Sequence, residues 1–180
     1  MAEALVGAGH RVFLVGGIVR DQLLGLELGA DADIDLTTDA TPPQIKAAVS
    51  GVADALWTQG ERFGTIGVKV GDRAFEITTH RAESYAPDSR KPEVAFGTNI
   101  DDDLARRDFT VNAMALELPD PVLIDPYGGA ADLAAKRLRT PLSPELSFTD
   151  DPLRMLRAAR FIAGHGLEPE PELVAAVRAN

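Results

Sequence analysis

An α+β or α/β head followed by an all-α stretch is the fold class that this sequence predicts. Three observations point there. Short apolar, strand-like runs alternate with helix patterns along the first 140 residues. Two of those runs, 65–70 and 74–79, flank Gly71-Asp72-Arg73, a β-hairpin signal. Beyond residue 150 only helical patterns remain. The expected division is a head over 1–140 and, over 141–180, the start of a helical region that is cut short.

The elements follow in order. Residues 11–15 (RVFLV) form a short apolar strand, and Gly16-Gly17 turn it into a helix from about Val19 to Leu24. A second strand covers 34–37. Thr41-Pro42-Pro43 opens a helix through Val49, with Thr41 as N-cap and proline tolerated in the first turn. Residues 84–99 combine prolines, a glycine and charges with little periodicity and are expected to be a mobile loop. A helix begins at Asp101, its acidic first turn favoured by the dipole. Then come a strand at 122–124, a turn at Gly128-Gly129, a short helix over 130–138 and a linker over 141–148. Residues 150–164 read as a strong helix stopped by Gly164 and Gly166, and 171–179 as an amphipathic helix.

Composition narrows the function. With 180 residues the chain can bury one proper core and the beginning of a second domain. No run approaches the roughly 20 apolar residues needed to span a bilayer, and the N-terminus lacks a signal-peptide pattern. There is no cysteine, hence no disulfide framework and no thiolate ligand or nucleophile. A cytoplasmic protein with no membrane association is the expectation. A net charge of −10 argues against a broad nucleic-acid-binding surface. Yet Arg106 and Arg107, and again Arg154, Arg157 and Arg160, cluster locally, which suits one small anion better than a long polyanion.

The chemistry centres on Asp33-Ile34-Asp35. On a strand, residues i and i+2 share a face, so both carboxylates point together while Ile34 points inward. Two like charges roughly 6 Å apart repel by about 2–3 kcal/mol at an effective dielectric near 20. A cation between them relieves this, and hard carboxylate oxygens suit Mg²⁺. The pair alone fits a solvated turn equally well. Glu76 adds weight: in the second hairpin strand it lies opposite the Phe75, Ile77 and Thr79 face, and it would complete an acidic trio if that strand lies beside the one bearing Asp33 and Asp35. Three carboxylates can hold two metal ions that orient an attacking hydroxyl and stabilise a leaving pyrophosphate.

Upstream, Gly16-Gly17 with Arg20 and Asp21 is either an ordinary strand-to-helix turn with an ion pair, or a phosphate cradle of backbone N–H groups and guanidinium. Gly7-Ala8-Gly9 is no dinucleotide fingerprint, because a strand follows it rather than preceding it. Arg107, Asp108 and Asn112 stand in RRDFTVNA (106–113), a charged helix start on one reading and a set of ribose and phosphate contacts on the other. Asp151, Arg154 and Arg157 recur at i, i+3 on the predicted 150–164 helix and would form a stripe, with Leu153, Leu156, Ala159 and Ala163 as its apolar neighbour. Such a stripe is usually surface ion pairing, but a carboxylate beside a guanidinium also presents acceptor and donor to the edge of cytosine or adenine. His10, His80 and His165 show no metal-ligand spacing and read as structural or exposed.

Taken in order, LVGGIVRD (14–21), DIDLTT (33–38), EITTHR (76–81), RRDFTVNA (106–113) and DDPLRMLRAARF (150–161) resemble the class II nucleotidyltransferases, the tRNA CCA-adding enzymes and bacterial poly(A) polymerases. The resemblance runs from about Val12 to Gly166. It implies a polymerase-β-like α+β head leading into an all-α neck. It also implies Mg²⁺ held by Asp33 and Asp35, with Glu76 as the third catalytic carboxylate. Gly16, Gly17 and Arg20 would hold the triphosphate, Arg107, Asp108 and Asn112 would contact the ribose and shape the site, and Asp151 and Arg154, assisted by Arg157 and Arg160, would recognise the base. The implied activity is template-independent transfer from CTP and ATP to the 3′ end of tRNA. Poly(A) addition, or addition of only CC or only A, shares every segment. A non-catalytic nucleotide- or metal-binding head is the alternative from another class. Residues 84–99 would be the family's flexible element. The sequence departs from the family at Asp150, where glutamate is common, and it stops early in the neck. A fragment that has lost the helices gripping the RNA is the expectation, and their loss would account for the acidic balance.

Overall fold

The element that positions everything else is a mixed sheet whose middle strand carries Asp35. The computed structural model describes residues 1–27, 29, 32, 34–84 and 93–179. In chain order the elements are α1 (Ala2–Gly7), β1 (Val12–Val15), α2 (Gly17–Leu23), β2 (Ile34–Thr38), α3 (Pro42–Val49) and β3 (Ala55–Trp57). Next come β4 (Thr65–Val70), β5 (Arg73–Thr79), β6 (Arg81–Ser84), β7 (Glu93–Phe96), α4 (Ile100–Ala105), β8 (Ala115–Leu118) and β9 (Val122–Ile124). The chain continues with α5 (Gly129–Ala134), β10 (Arg137–Leu138), α6 (Pro144–Asp150), α7 (Leu153–His165), β11 (Glu168–Pro169) and α8 (Pro171–Ala179). Single 3₁₀ turns lie at Glu61–Phe63 and Thr110–Asn112.

The main sheet runs β3-β4-β5-β2-β1-β8-β9. Only β2 and β5 pair in parallel; the other neighbours are antiparallel. Strand alternation divides the residues between two faces. Val12, Leu36, Ile66, Val68 and Ile77 bury against Leu5 of α1, Val19 of α2 and Ile45 of α3. Phe13, Val15 and Ala115 form a separate cluster with Ile100 and Leu104 of α4. Phe13 pairs with Thr37 across the β1–β2 ladder, so Thr37 and Asp35, two residues apart on β2, share the face that α4 covers. A third cluster joins Phe109, Val111, Leu133 and Leu138 to Phe148, Phe161, Leu167 and Leu173, and thereby packs α6, α7 and α8 onto the segments before residue 140.

The strands at 12–15 and 34–38, the hairpin, and the helix after Thr41 form as the sequence indicates. Thr41 begins a capping box in which its own N–H donates to Gln44 Oε1 at 2.8 Å. Asn99 Oδ1 caps α4 by accepting from the Asp101 N–H.

Five expectations need correction. The loop expected over 84–99 is strand at both ends, since Arg81–Ser84 pairs antiparallel with Glu93–Phe96; residues 85–92 lie outside those described. Four-residue strands give too short an alternation to stand out from a charged, proline-containing surround. The helix expected over 130–138 ends at Ala134, because Lys136 takes a positive φ of 55° and the chain reverses into β10, parallel to β11. The expected linker over 141–148 contains α6: Ser143 Oγ accepts from the Leu146 N–H and Pro144 occupies the first turn, a start signal at both positions.

The helix expected over 150–164 is two helices. Asp151 is extended (φ −147°, ψ 97°), and Pro152, without an N–H, disfavours helical backbone in the residue before it. The apolar face assigned to the second of them also faces outward. Leu153 and Leu156 are 65% and 72% exposed, whereas Ala158 and Phe161 are buried. Strands β3 and β8 and helix α1 were not foreseen. No helix among the described residues is long and apolar enough to cross a membrane.

Candidate active site

The site is built on the parallel pair at the sheet centre. Asp35 on β2 stands directly opposite Glu76 on β5, with the strands about 4.8 Å apart. Both carboxylates are exposed, while Ile34, Leu36 and Ile77 beside them are buried. Alternation therefore sets two hard oxygen donors side by side on one face. Asp33 lies outside the described residues. Among those described, no three acidic or histidine side chains cluster as a metal site. The two exposed carboxylates in register nevertheless have the charge and donor type of a Mg²⁺ site, with room for a third ligand.

A glycine turn approaches this pair from β1. Gly16 has φ 77°, ψ −142°, a conformation that side chains resist, and it is enclosed. A Cβ built there would meet Arg107 Nη1 at 3.4 Å and Asp35 Oδ2 at 3.7 Å. Gly16, Asp35 and Arg107 thus converge on one point. At Gly17 the neighbour is Arg20, with Nη2 at 3.2 Å from the corresponding Cβ position. Arg20 is buried and already engaged. Its Nε donates to Asp21 Oδ1 at 2.8 Å and its Nη1 to Asn112 Oδ1 at 2.9 Å, and its guanidinium lies 5.4 Å from the Phe161 ring centre.

The Arg106-Arg107-Asp108 segment is organised by a residue that sequence reasoning passed over. Asp103, fully buried in α4, accepts from Arg106 Nη2 at 2.8 Å and from Arg107 Nη2 at 3.0 Å. Burial pushes its carboxyl up, but Arg107 and Arg106 outweigh burial and hold the pKa down at about 2. The signal was present in the spacing, since Asp103 precedes the two arginines by three and four residues. Arg107 Nε remains buried and without a hydrogen-bond partner among the described residues, so this cation has donor capacity in reserve beside Asp35.

Other candidates are tied to one another. Asp108 Oδ1 accepts from Asn112 Nδ2 at 3.1 Å, and Asp108 Oδ2 accepts from Arg157 Nε at 2.8 Å. Arg154 donates to Ser147 Oγ at 2.7 Å and to the Arg106 carbonyl at 2.6 Å. It also lines a cleft of about 240 Å³ with Arg106, Arg107, Ser147 and Asp150. Asp151 precedes α7: its Oδ1 accepts from the Leu153 N–H and its carbonyl from the Arg154 N–H. Arg160 is exposed on α7. His80 is buried against Thr37, and burial pushes its pKa below the usual histidine value.

Known proteins resemble this chain along nearly its whole length. The Poly A polymerase head domain model matches residues 12–139. The CCA-adding enzyme of Bacillus pumilus is 42% identical over 170 residues, covering 94% of this chain and 40% of the relative. Among solved structures, the Bacillus stearothermophilus CCA-adding enzyme in complex with CTP superposes with a TM-score of 0.85 at 33% identity, over 99% of this chain and 41% of that one. A tRNA nucleotidyltransferase complexed with a primer tRNA and an incoming ATP analog gives a TM-score of 0.78 at 32% identity, over 99% and 48%. The chain spans about 40% of the length of the curated relatives it matches. The match to the family model takes in Gly16, Asp35, Glu76 and Arg107 alike, and the chain belongs to the Poly A polymerase head domain family.

Proposed function

We propose that the protein transfers nucleotides without a template from CTP and ATP to the 3′ end of tRNA, adding or repairing the CCA terminus. The observation that carries this reading is the convergence of Gly16, Arg107 and Asp35 beside Glu76. It puts an enclosed glycine backbone and a cation next to a carboxylate pair, which suits transfer of a nucleotidyl group from pyrophosphate to a hydroxyl. The likeness to CCA-adding enzymes along nearly the whole chain supports the choice of tRNA and of CTP and ATP.

In this reading the acceptor's 3′ oxygen forms a bond to the α-phosphorus of the nucleotide, the bond from that phosphorus to the β-phosphate oxygen breaks, and pyrophosphate leaves. Asp33 and Asp35, with Glu76, would hold Mg²⁺, which when bound makes the hydroxyl a better nucleophile and neutralises the pyrophosphate. The chain's own residues bind and orient. Gly16 and Gly17 allow the backbone close to the triphosphate, Arg107 offers it a guanidinium, and Arg20 holds the turn through Asn112. Arg154 lines the adjoining cleft with Asp150, and Arg154 and Asp151 would recognise the base, assisted by Arg157 and Arg160. The head would span 1–140 and the helical neck begin at 141, in a protein working in the cytoplasm.

The experiment is to incubate the protein with Mg²⁺, tRNA lacking its terminus, and each labelled nucleotide separately. Incorporation of C from CTP followed by a single A from ATP is expected. A long run of A from ATP alone would assign poly(A) addition instead, and absence of any transfer by the whole protein would sink the reading.

A further inference from the structure

A second pocket lies on the far side of Glu76 from the glycine turn. Strand register places Trp57 opposite Gly67, Gly67 opposite Glu76, and Glu76 opposite Asp35. Cross-strand partners share a face, so these four positions form one transverse row. Gly67 has no side chain, and the Trp57 indole occupies its place: Nε1 stands 1.8 Å from where a Cβ would be. The indole is thereby laid beside the carboxylates. One step along the strands, Thr65 and Thr78 pair with their hydroxyl oxygens 3.0 Å apart. Arg81 Nη2 donates to Thr65 Oγ1 at 3.3 Å, while Arg81 Nε is buried without a hydrogen-bond partner among the described residues. Phe63, 44% exposed, completes the wall.

The pocket has a volume of about 350 Å³, at the low end of the roughly 300–1,000 Å³ of small-ligand sites. Its chemistry differs from that on the other side of Asp35. It offers the Trp57 indole, the Phe63 ring with the Arg62 guanidinium 4.4 Å from its centre, the Thr65 hydroxyl and the Arg81 guanidinium, next to the acidic Glu76. Among the described lining residues Arg81 is the one cation, and beside Glu76 it would serve a triphosphate poorly. One nucleotide of a strand, with one phosphate, is matched group for group.

We propose that this pocket holds the 3′-terminal nucleotide of the acceptor strand. Its base lies on Trp57, its phosphate faces Arg81, and its ribose hydroxyl is directed to the carboxylate row. The proposal rests on the nucleotidyl-transfer reading for its choice of ligand, and the carboxylates then separate acceptor from incoming nucleotide. Aromatic platforms hold single-stranded RNA with little regard to sequence, so the pocket accepts an end whose last base changes between additions.

Trp57 is the only tryptophan in the chain, so tryptophan emission, excited selectively over the two tyrosines, reports on this pocket alone. A short single-stranded oligoribonucleotide with a free 3′ hydroxyl is titrated into the protein, and CTP with Mg²⁺ is titrated separately. Saturable quenching by the RNA is expected, with little by CTP. Arg81→Gln is expected to weaken the RNA quench about tenfold. In the transfer assay Trp57→Leu is expected to raise KM for the acceptor about tenfold and leave KM for CTP unchanged. RNA quenching in a protein that transfers nothing would retain the pocket and remove the transfer reading. Active transfer with no RNA quench and a normal acceptor KM in Trp57→Leu would overturn the pocket and retain the reading. Quenching by CTP as strong as by RNA would also overturn it.

Discussion

Arg157 on α7 donates to Asp108, 49 positions earlier in the chain, through Nε at 2.8 Å. The same carboxylate accepts from Asn112, whose amide oxygen accepts from Arg20. One polar chain thus joins α2, the Arg106-Arg107-Asp108 segment and α7. Residues with the composition of ligands satisfy each other, and in doing so they fix the glycine turn against the helix that borders the cleft. Arg106, Arg107 and Arg154 are the cations on the cleft wall among the described residues.

Loss of Asp108 should therefore cost stability. Asp108→Ala strips buried partners from Asn112 and Arg157, and a lost hydrogen bond to a charged group costs about 1–3 kcal/mol. Arg157→Ala should cost less, because Asp108 keeps the Phe109 N–H and Asn112 as donors. Urea unfolding of both single variants and the double variant checks this. A coupling of about 0.5–3 kcal/mol is expected, and strict additivity would show that the contact carries no energy.

Asp103 sets an acid limit. Its folded pKa is about 2 against an ordinary 3.8, so the unfolded chain takes up a proton first as pH falls. The stabilisation is full above about pH 4 and is lost as pH drops toward 2. The shift corresponds to about 2 kcal/mol. Urea midpoints measured across that window should fall more steeply in wild type than in Asp103→Asn, which is less stable at neutral pH and has no carboxylate to protonate there. Parallel curves would mean that the two arginines do not hold the carboxylate ionised.

What the sequence disclosed depended on repeat length. The alternation around Asp35 and Glu76 survives in the fold because each strand spans at least five residues and buries its apolar partners. Three-residue β3 carries no readable period, so Trp57 and its place in the carboxylate row stayed hidden. The single helix expected over 150–164 divides because Pro152 breaks the backbone, so Asp151 lies between α6 and α7 and its Oδ1 accepts from the Leu153 N–H. The Arg157–Asp108 bond was not legible at all, since nothing in local spacing reports a contact made by tertiary packing.

Asp35→Asn and Glu76→Gln separate folding from chemistry. Both side chains are exposed, and removing one charge relieves like-charge repulsion, so melting temperature without Mg²⁺ should hold or rise slightly. Wild type should gain stability with Mg²⁺ and CTP by mass action, about 2.7 kcal/mol at a hundredfold excess over Kd. The variants should gain much less and transfer nothing. Turnover near wild type in either one would remove that carboxylate from the site.

Two glycines distinguish a rigid neighbour from a movable one. At Gly129 an added Cβ would stand 2.1 Å from the Thr110 carbonyl oxygen. That backbone is pinned by the Thr110 N–H bond to the Arg139 carbonyl and by the Thr110 hydroxyl bond to Asp132 at 2.7 Å. Gly129→Ala must therefore displace main chain, and a loss of about 1–3 kcal/mol or more is expected. At Gly67 the obstructing atoms belong to the Trp57 indole, which can swing away. Gly67→Ala should cost less stability while shifting tryptophan emission toward that of a solvated indole. Unfolding curves and emission spectra of the two variants decide the matter. An unshifted spectrum in Gly67→Ala would mean that the indole does not lie in the row beside Glu76, and it would remove the platform proposed for the acceptor nucleotide.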